Sequence, residues 1–199
     1  MNEIPKPKSR DISLTTKAEI ILIGPVGSGK STIGALLSKR LDLPRHSMDE
    51  VRWKYYAEIG YDMDLAREKL TTEGFWGLYH YWKPFDAYAV KRLLGDFRDC
   101  VFDFGGAHSV FEDDNLFEQV RELLAPYSHV ILLIPSPDLD ESVQILNAGN
   151  KYTDEQREVN EHFIRHHSNY DLAKYTVYTK DKTPEETCDE ILNWIRGQK

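Results

Sequence analysis

The 199-residue chain has only two cysteines, Cys100 and Cys188. Two residues so far apart are too few for a disulfide framework or a four-cysteine zinc site, and both read as ordinary buried thiols. Positive charge is also in short supply: 25 lysines and arginines face 33 aspartates and glutamates, a formal net charge of −8. With no general basic field to hold nucleic acid or anionic lipid, any anionic ligand requires a local device. Long apolar runs are missing too, since none approaches the ~20 residues that span a bilayer. The first 17 residues are polar, carry Pro5 and Pro7, and do not read as a signal peptide. The expectation is a cytoplasmic protein without nucleic-acid or membrane partners, with residues 1–17 as a flexible tail. What is present is a 41% hydrophobic and 12% aromatic composition, enough to build a core in one domain over 18–199.

The order of elements alternates. An apolar run at 18–23 ends at Gly24, and Ile33, Leu36, Leu37 and Leu41 follow at helical spacing, which reads as strand, glycine loop, helix. A second short strand is expected at 43–47 and a helix at 49–59. Residues 62–94 are predicted to be helical in two pieces divided at Pro84. Further strands are expected at 98–104, 129–134 and 175–178, and helices at 113–124, 138–146 and 154–167. A last helix is opened by Thr183-Pro184-Glu185-Glu186, a capping residue followed by proline. Such alternation predicts a parallel sheet covered on both faces.

The strongest chemical signal is Gly24-Pro25-Val26-Gly27-Ser28-Gly29-Lys30-Ser31. It satisfies the G-x-x-x-x-G-K-[ST] phosphate-loop pattern in its required strand-to-helix setting. Glycines let backbone amides turn toward phosphate oxygens, and the following helix presents its positive end to the same anion. Lys30 is expected on the β- and γ-phosphates and Ser31 on Mg²⁺, with ATP as the nucleotide. A merely structural glycine turn explains neither residue. Two other fates for the phosphoryl group are disfavoured. Asp103, ending the strand Val101-Phe102-Asp103, is followed by Phe104 rather than a water-activating glutamate, and Asn150-Lys151-Tyr152-Thr153-Asp154 is a near miss to the guanine-reading N-K-x-D.

The chain resembles the shikimate kinase family of small phosphate-loop kinases. The resemblance rests on the loop continued through Thr32-Ile33-Gly34-Ala35, on Ser47-Met48-Asp49 where the family ends its second strand, on Phe104-Gly105-Gly106-Ala107, and on the helix start at Lys182-Thr183-Pro184. It implies an α/β fold of three layers, the P-loop NTPase fold, with a five-stranded parallel sheet, an acceptor-binding helical region at about 49–95 and a helical lid at about 147–168. It also implies transfer of the γ-phosphoryl of ATP to a small-molecule acceptor, with nucleotide contacts from Gly24, Gly27, Ser28, Gly29, Lys30, Ser31 and Thr32. Asp49 matches the aspartate that contacts the acceptor hydroxyl. Ser47 stands where the family has an aspartate supporting metal-bound waters, which leaves Mg²⁺ to Ser31 and Asp103. Residues 73–83, which should bring an arginine to the acceptor carboxylate, contain none. The resemblance therefore carries the fold and the reaction further than it carries shikimate as acceptor. The other readings are a nucleoside monophosphate kinase and a non-catalytic ATP-binding regulatory module.

Asp49 is the candidate for orienting the acceptor hydroxyl, although a carboxylate also suits the start of a helix. Asp103 reads as a metal ligand or as a cap on the Gly105-Gly106 turn, and those two glycines as a place where an acceptor approaches the backbone. Arg157 and Arg165 share a helix face through Glu161; Arg165 is assigned to the transferring phosphate, against the alternative of a solvated charged face. His162 and His166 stand i,i+4 with no nearby carboxylate in sequence to complete a metal site. The aromatic group Trp53, Tyr55, Tyr56, Phe75, Trp76, Tyr79, Tyr81 and Trp82 reads first as packing between two helices, second as the wall of a pocket.

Overall fold

The structure, a computed structural model, describes residues 19–148 and 152–198. The tail at 1–17 and Asn150 and Lys151 of the guanine-motif near miss lie outside the described residues. Five parallel strands form one sheet in the order β2-β3-β1-β4-β5. They are β1 (Ile20–Ile23), β2 (Arg45–Ser47), β3 (Val101–Asp103), β4 (His129–Ile134) and β5 (Tyr175–Tyr178). The helices are α1 (Lys30–Leu41), α2 (Met48–Glu58), α3 (Met63–Asp96), α4 (Asp114–Leu124), α5 (Leu139–Ala148), α6 (Asp154–Arg165), α7 (His167–Leu172) and α8 (Pro184–Gly197).

The central strands are apolar on both faces because helices cover both. Along β1, Ile20 and Leu22 pack with α1 and α8 through Ile33, Leu37, Cys188 and Ile191. Ile21 and Ile23 point the other way, toward Tyr56 of α2, Val90 and Leu93 of α3 and Val120 of α4. Both cysteines are buried free thiols. The final helix starts as the sequence predicts: the Thr183 side chain accepts from the Glu186 amide, Glu186 returns to the Thr183 amide, and Pro184 sits in the first turn.

One expectation is corrected. Residues 62–94 are broken at Gly74, with φ 69° and ψ −165°, and not at Pro84, which lies inside a continuous helical stretch. Proline in a helix interior costs about 3 kcal/mol. That cost is outweighed here because Leu78, Tyr79, Phe85, Val90, Leu93 and Leu94 are all buried on this stretch, each large side chain contributing about 1.5–3 kcal/mol. Gly74 has the left-handed φ that glycine tolerates. The amide of Phe75, freed by the break, donates to Glu155 Oε2 of α6 at 3.2 Å. The strand expected at 98–104 is also shorter, because regular pairing is confined to Val101–Asp103. The helix predicted at 154–167 stops at Arg165, where the extended His166 closes α6 and opens α7.

Candidate active site

Strand register sets the site. Leu22 pairs with Asp103 and Asp103 with Ser47, so the carboxyl ends of β1, β3 and β2 emerge at one edge, where open α/β sheets gather ligands. A cavity of about 610 Å³ lies there. Gly27, Gly29, Lys30, Ser31 and Thr32 line it, while Gly24 and Ser28 build the loop without reaching its wall. Gly24, Gly27 and Gly29 all have positive φ.

Lys30 is 7% exposed, and its ammonium donates to the carbonyls of Gly24 at 2.9 Å and Pro25 at 2.8 Å. Burial lowers its pKa to about 8, against the opposing pull of Asp103 and Asp49. Asp103 is 3% exposed. Burial pushes its carboxyl above the usual range, offset by a hydrogen bond from Ser31 and the charges of Lys30 and Arg45, the last at 2.9 Å. Ser31 and Asp103 are thus neighbours, as their assignment to one metal requires. Ser47 is buried level with Asp103.

Asp49, in the first turn of α2, lines the cavity with its side chain 63% exposed. Arg52, one turn on, also lines it and lies 3.9 Å from Asp49. Its guanidinium carbon stands 4.5 Å over the Trp53 ring and 5.4 Å over Trp82, and its Nε is buried without a hydrogen-bond partner. Sequence reasoning looked for an arginine at 73–83 and missed this one; its i,i+3 spacing from Asp49, which places both on one helix face, was the available signal. Gly105 and Gly106 are needed for close approach. A Cβ on Gly105 would stand 2.7 Å from both Asp49 Oδ1 and His108 Nδ1, and one on Gly106 would stand 2.6 Å from Val26 Cγ2. The aromatic group divides: Phe75, Tyr79 and Trp82 line the cavity, whereas Tyr55 and Tyr56 are buried in the contact between α2 and α3.

The third wall is α6 with the residues just before it: Tyr152, Gln156, Val159, Asn160 and Phe163. Asn160 Oδ1 accepts from the Val26 amide at 2.9 Å, and its Nδ2 donates to the Val26 carbonyl at 3.3 Å. Arg165, expected at the transferring phosphate, does not line the cavity. Its guanidinium pairs with Asp140 at 2.5 Å and Glu161 at 2.8 Å, because its face of α6 is turned toward α5. Arg157 is likewise outside the cavity wall, its Nε donating to the Tyr152 carbonyl at 3.4 Å. Behind the wall, Glu112 approaches His162 Nε2 at 2.5 Å and accepts from the Tyr79 hydroxyl at 2.7 Å. Glu112, His162 and His166 therefore converge, although no carboxylate near the histidines in sequence suggested it. The His166 Nδ1 lone pair is occupied by the amide of Ser168.

No protein-family profile matches the chain. Relatives do. The shikimate kinase of Streptomyces coelicolor is 30% identical over 187 residues, covering 88% of this chain and 94% of its own. The chain belongs to the shikimate kinase family. The Flavobacterium psychrophilum member is 25% identical over 177 residues, 87% of this chain and 96% of the relative. The structure of Acinetobacter baumannii shikimate kinase in complex with shikimate matches the fold with a TM-score of 0.64 at 19% identity, over 93% of this chain and 96% of the other. Family membership makes the chain an ATP-dependent small-molecule kinase. Low identity marks it as a divergent member. Among the described residues no helix is long and apolar enough to cross a membrane.

Proposed function

We propose that this cavity binds MgATP along 24–32 and a hydroxylated acceptor against Asp49, Arg52, Gly105 and Gly106, and that it transfers the γ-phosphoryl between them. The observation that carries this reading is that one cavity is walled both by Lys30 and Ser31 and by Asp49. Loop amides and the start of α1 receive the phosphates, and Lys30 exchanges its loop carbonyls for phosphate oxygens. Ser31 and Asp103 offer hard oxygen donors, the set that suits Mg²⁺; bound there, the ion would neutralise charge on the phosphates. The acceptor oxygen bonds to the γ-phosphorus as the bridge to the β-phosphate breaks, and the leaving electrons stay on ADP. Asp49 orients the hydroxyl and takes its proton.

Residues 49–95 form the acceptor region in this reading and the described residues 152–168 the lid, with α6 excluding water through Val159 and Phe163. Arg52, with an unpartnered Nε, supplies the cation an anionic acceptor needs; a small hydroxylated acid such as shikimate is the chemical class it fits. We place the activity in the cytoplasm, consistent with two free thiols. The test is ADP release from MgATP against shikimate, sugars, nucleosides and nucleoside monophosphates, with Asp49→Asn alongside. Acceptor-stimulated release that drops about 10²–10⁴-fold in Asp49→Asn with unchanged ATP binding is expected. ATP binding with no stimulated release for any acceptor overturns the transfer.

A further inference from the structure

Among the described residues, one group of histidine and carboxylate side chains brings three ligand atoms together: Glu112, His162 and His166, all within 4.8 Å of one another. None of the three lines the cavity. Glu112 stands just before the Asp113 cap of α4. His162 is in the last turn of α6, and His166 closes α6 and opens α7. The two rings lie 4.9 Å apart between centroids, while the carboxylate arrives from 50 positions away and lies 2.5 Å from His162 Nε2.

The group is held from outside. The Tyr79 hydroxyl donates to Glu112 Oε1 at 2.7 Å, and the Trp76 ring stands edge-on to His162 at 5.3 Å. His166 Nδ1 faces Ser168, 2.9 Å from its Oγ and 3.3 Å from its amide, which leaves Nε2 for an ion. The Ser168 hydroxyl sends its own proton to the Phe111 carbonyl at 3.3 Å, so its oxygen is free to accept from an Nδ1–H. Ligation at Nε2 moves the ring proton to Nδ1 and trades the amide contact for the shorter one to Oγ. Hydrogen bonds of this kind, to the far side of each ligand, orient a metal site. Neighbouring cations are engaged elsewhere: His167 Nδ1 is 2.7 Å from Asp171 Oδ2, and Lys83, whose charge reaches Glu112 and His166, is paired with Asp86 at 2.8 Å.

We propose that Glu112, His162 and His166 form a zinc site that ties the end of α6 to the segment between β3 and α4. The site is separate from the phosphoryl transfer proposed above and does not depend on it. Two imidazoles and one carboxylate are a known three-ligand set for zinc, with water in the fourth position. Imidazole nitrogens suit zinc, whereas Mg²⁺ prefers an all-oxygen set such as Ser31 and Asp103. The Glu112 and His162 side chains are 30% and 28% exposed, open enough to admit an ion with its water. Ligands about 2.1 Å from a tetrahedral ion stand about 3.4 Å from one another. The Glu112–His162 contact therefore opens by about 1 Å when the ion enters.

Two experiments on the full chain decide it. The first is a calorimetric titration of chelator-stripped protein with ZnCl₂ in the presence of excess MgCl₂. One zinc per chain is expected, with affinity lowered about 100-fold or more in Glu112→Gln, His162→Gln and His166→Asn, at least the loss that removing an outer partner causes. Glutamine keeps an oxygen for the Tyr79 hydroxyl, and asparagine keeps a cap for α7, so each variant retains the surrounding hydrogen bonds. His167→Gln is expected to bind zinc as the wild type does. No zinc bound by the wild type, equal affinity in all three ligand variants, or loss of binding in His167→Gln alone overturns the proposal. The second experiment needs no variant: in zinc-soaked crystals, anomalous scattering at the zinc edge is expected to give a peak between Glu112, His162 and His166. Peaks only at other places overturn the assignment.

Discussion

The two halves of the cavity are built on different principles. The half proposed for the phosphates is one continuous stretch, 24–32, at the start of α1, with a single cation, Lys30, folded back onto its own carbonyls. The half proposed for the acceptor is assembled from side chains of α2, α3, α6 and the turn after β3, with Asp49, Arg52, Tyr79, His108 and Asn160 brought from across the chain. A site made of backbone tolerates sequence change around it and keeps one ligand chemistry. A site made of converging side chains changes ligand whenever one of them changes.

The sharpest way to break the phosphate half is Lys30→Ala. Turnover is expected to fall about 10²–10³-fold, and MgATP affinity measured by calorimetry to weaken about 10–100-fold from loss of a charged hydrogen-bonding partner. Equal affinity in wild type and variant would remove Lys30 from the site. Next in size is Asn160→Leu, which unlinks the halves: the Val26 amide loses its partner, so stability should drop by about 1–3 kcal/mol, seen as a melting temperature lowered by several degrees, with turnover reduced more than nucleotide affinity. A variant as stable and active as wild type would mean that α6 docks without this contact.

A smaller effect sharpens the comparison from the acceptor side. Burial alone would raise the Glu112 pKa, but hydrogen bonds from His162 and Tyr79 and the charge of Lys83 bring it to about 2. The folded value lies below the ordinary carboxylate value, so this contribution is present above pH 4.5 and is lost as pH falls toward 2. Acid denaturation followed by circular dichroism should therefore be shallower across that window in Glu112→Gln; an unchanged slope would exclude the network behind Tyr79 as its source. Smallest is Arg165→Glu. With its partners Asp140 and Glu161 on the surface, turnover is expected to change less than about twofold and the melting temperature to stay close to that of the wild type. A loss beyond tenfold would return Arg165 to the transferring phosphate.

Much of the frame was legible because its signals are local. The strand-loop-helix at 20–41, the capping box at Thr183 and the strands at 129–134 and 175–178 each follow from neighbouring residues. The break in α3 was misplaced because proline and glycine compete as helix breakers. Burial on either side of Pro84 overrode its propensity, and Glu155, from 80 positions away, caps the helix at Gly74. Arg165 lies off the cavity because i,i+4 spacing gives a shared helix face but not the direction in which that face turns. His108 carried no sequence signal at all beyond its nearness to Gly105 and Gly106.

What the sequence by itself determined is the order of strands and helices and the anion-binding loop, since periodicity, glycine conformations and the positive end of a helix act over a few residues. The tertiary structure alone decided which side chains line the rest of the cavity. Arg52 stacked on Trp53 and Trp82, His108 braced by Asp86, and Asn160 holding a loop 134 positions away are contacts set by how α2, α3 and α6 pack around the sheet edge, and packing of that kind depends on the whole core at once.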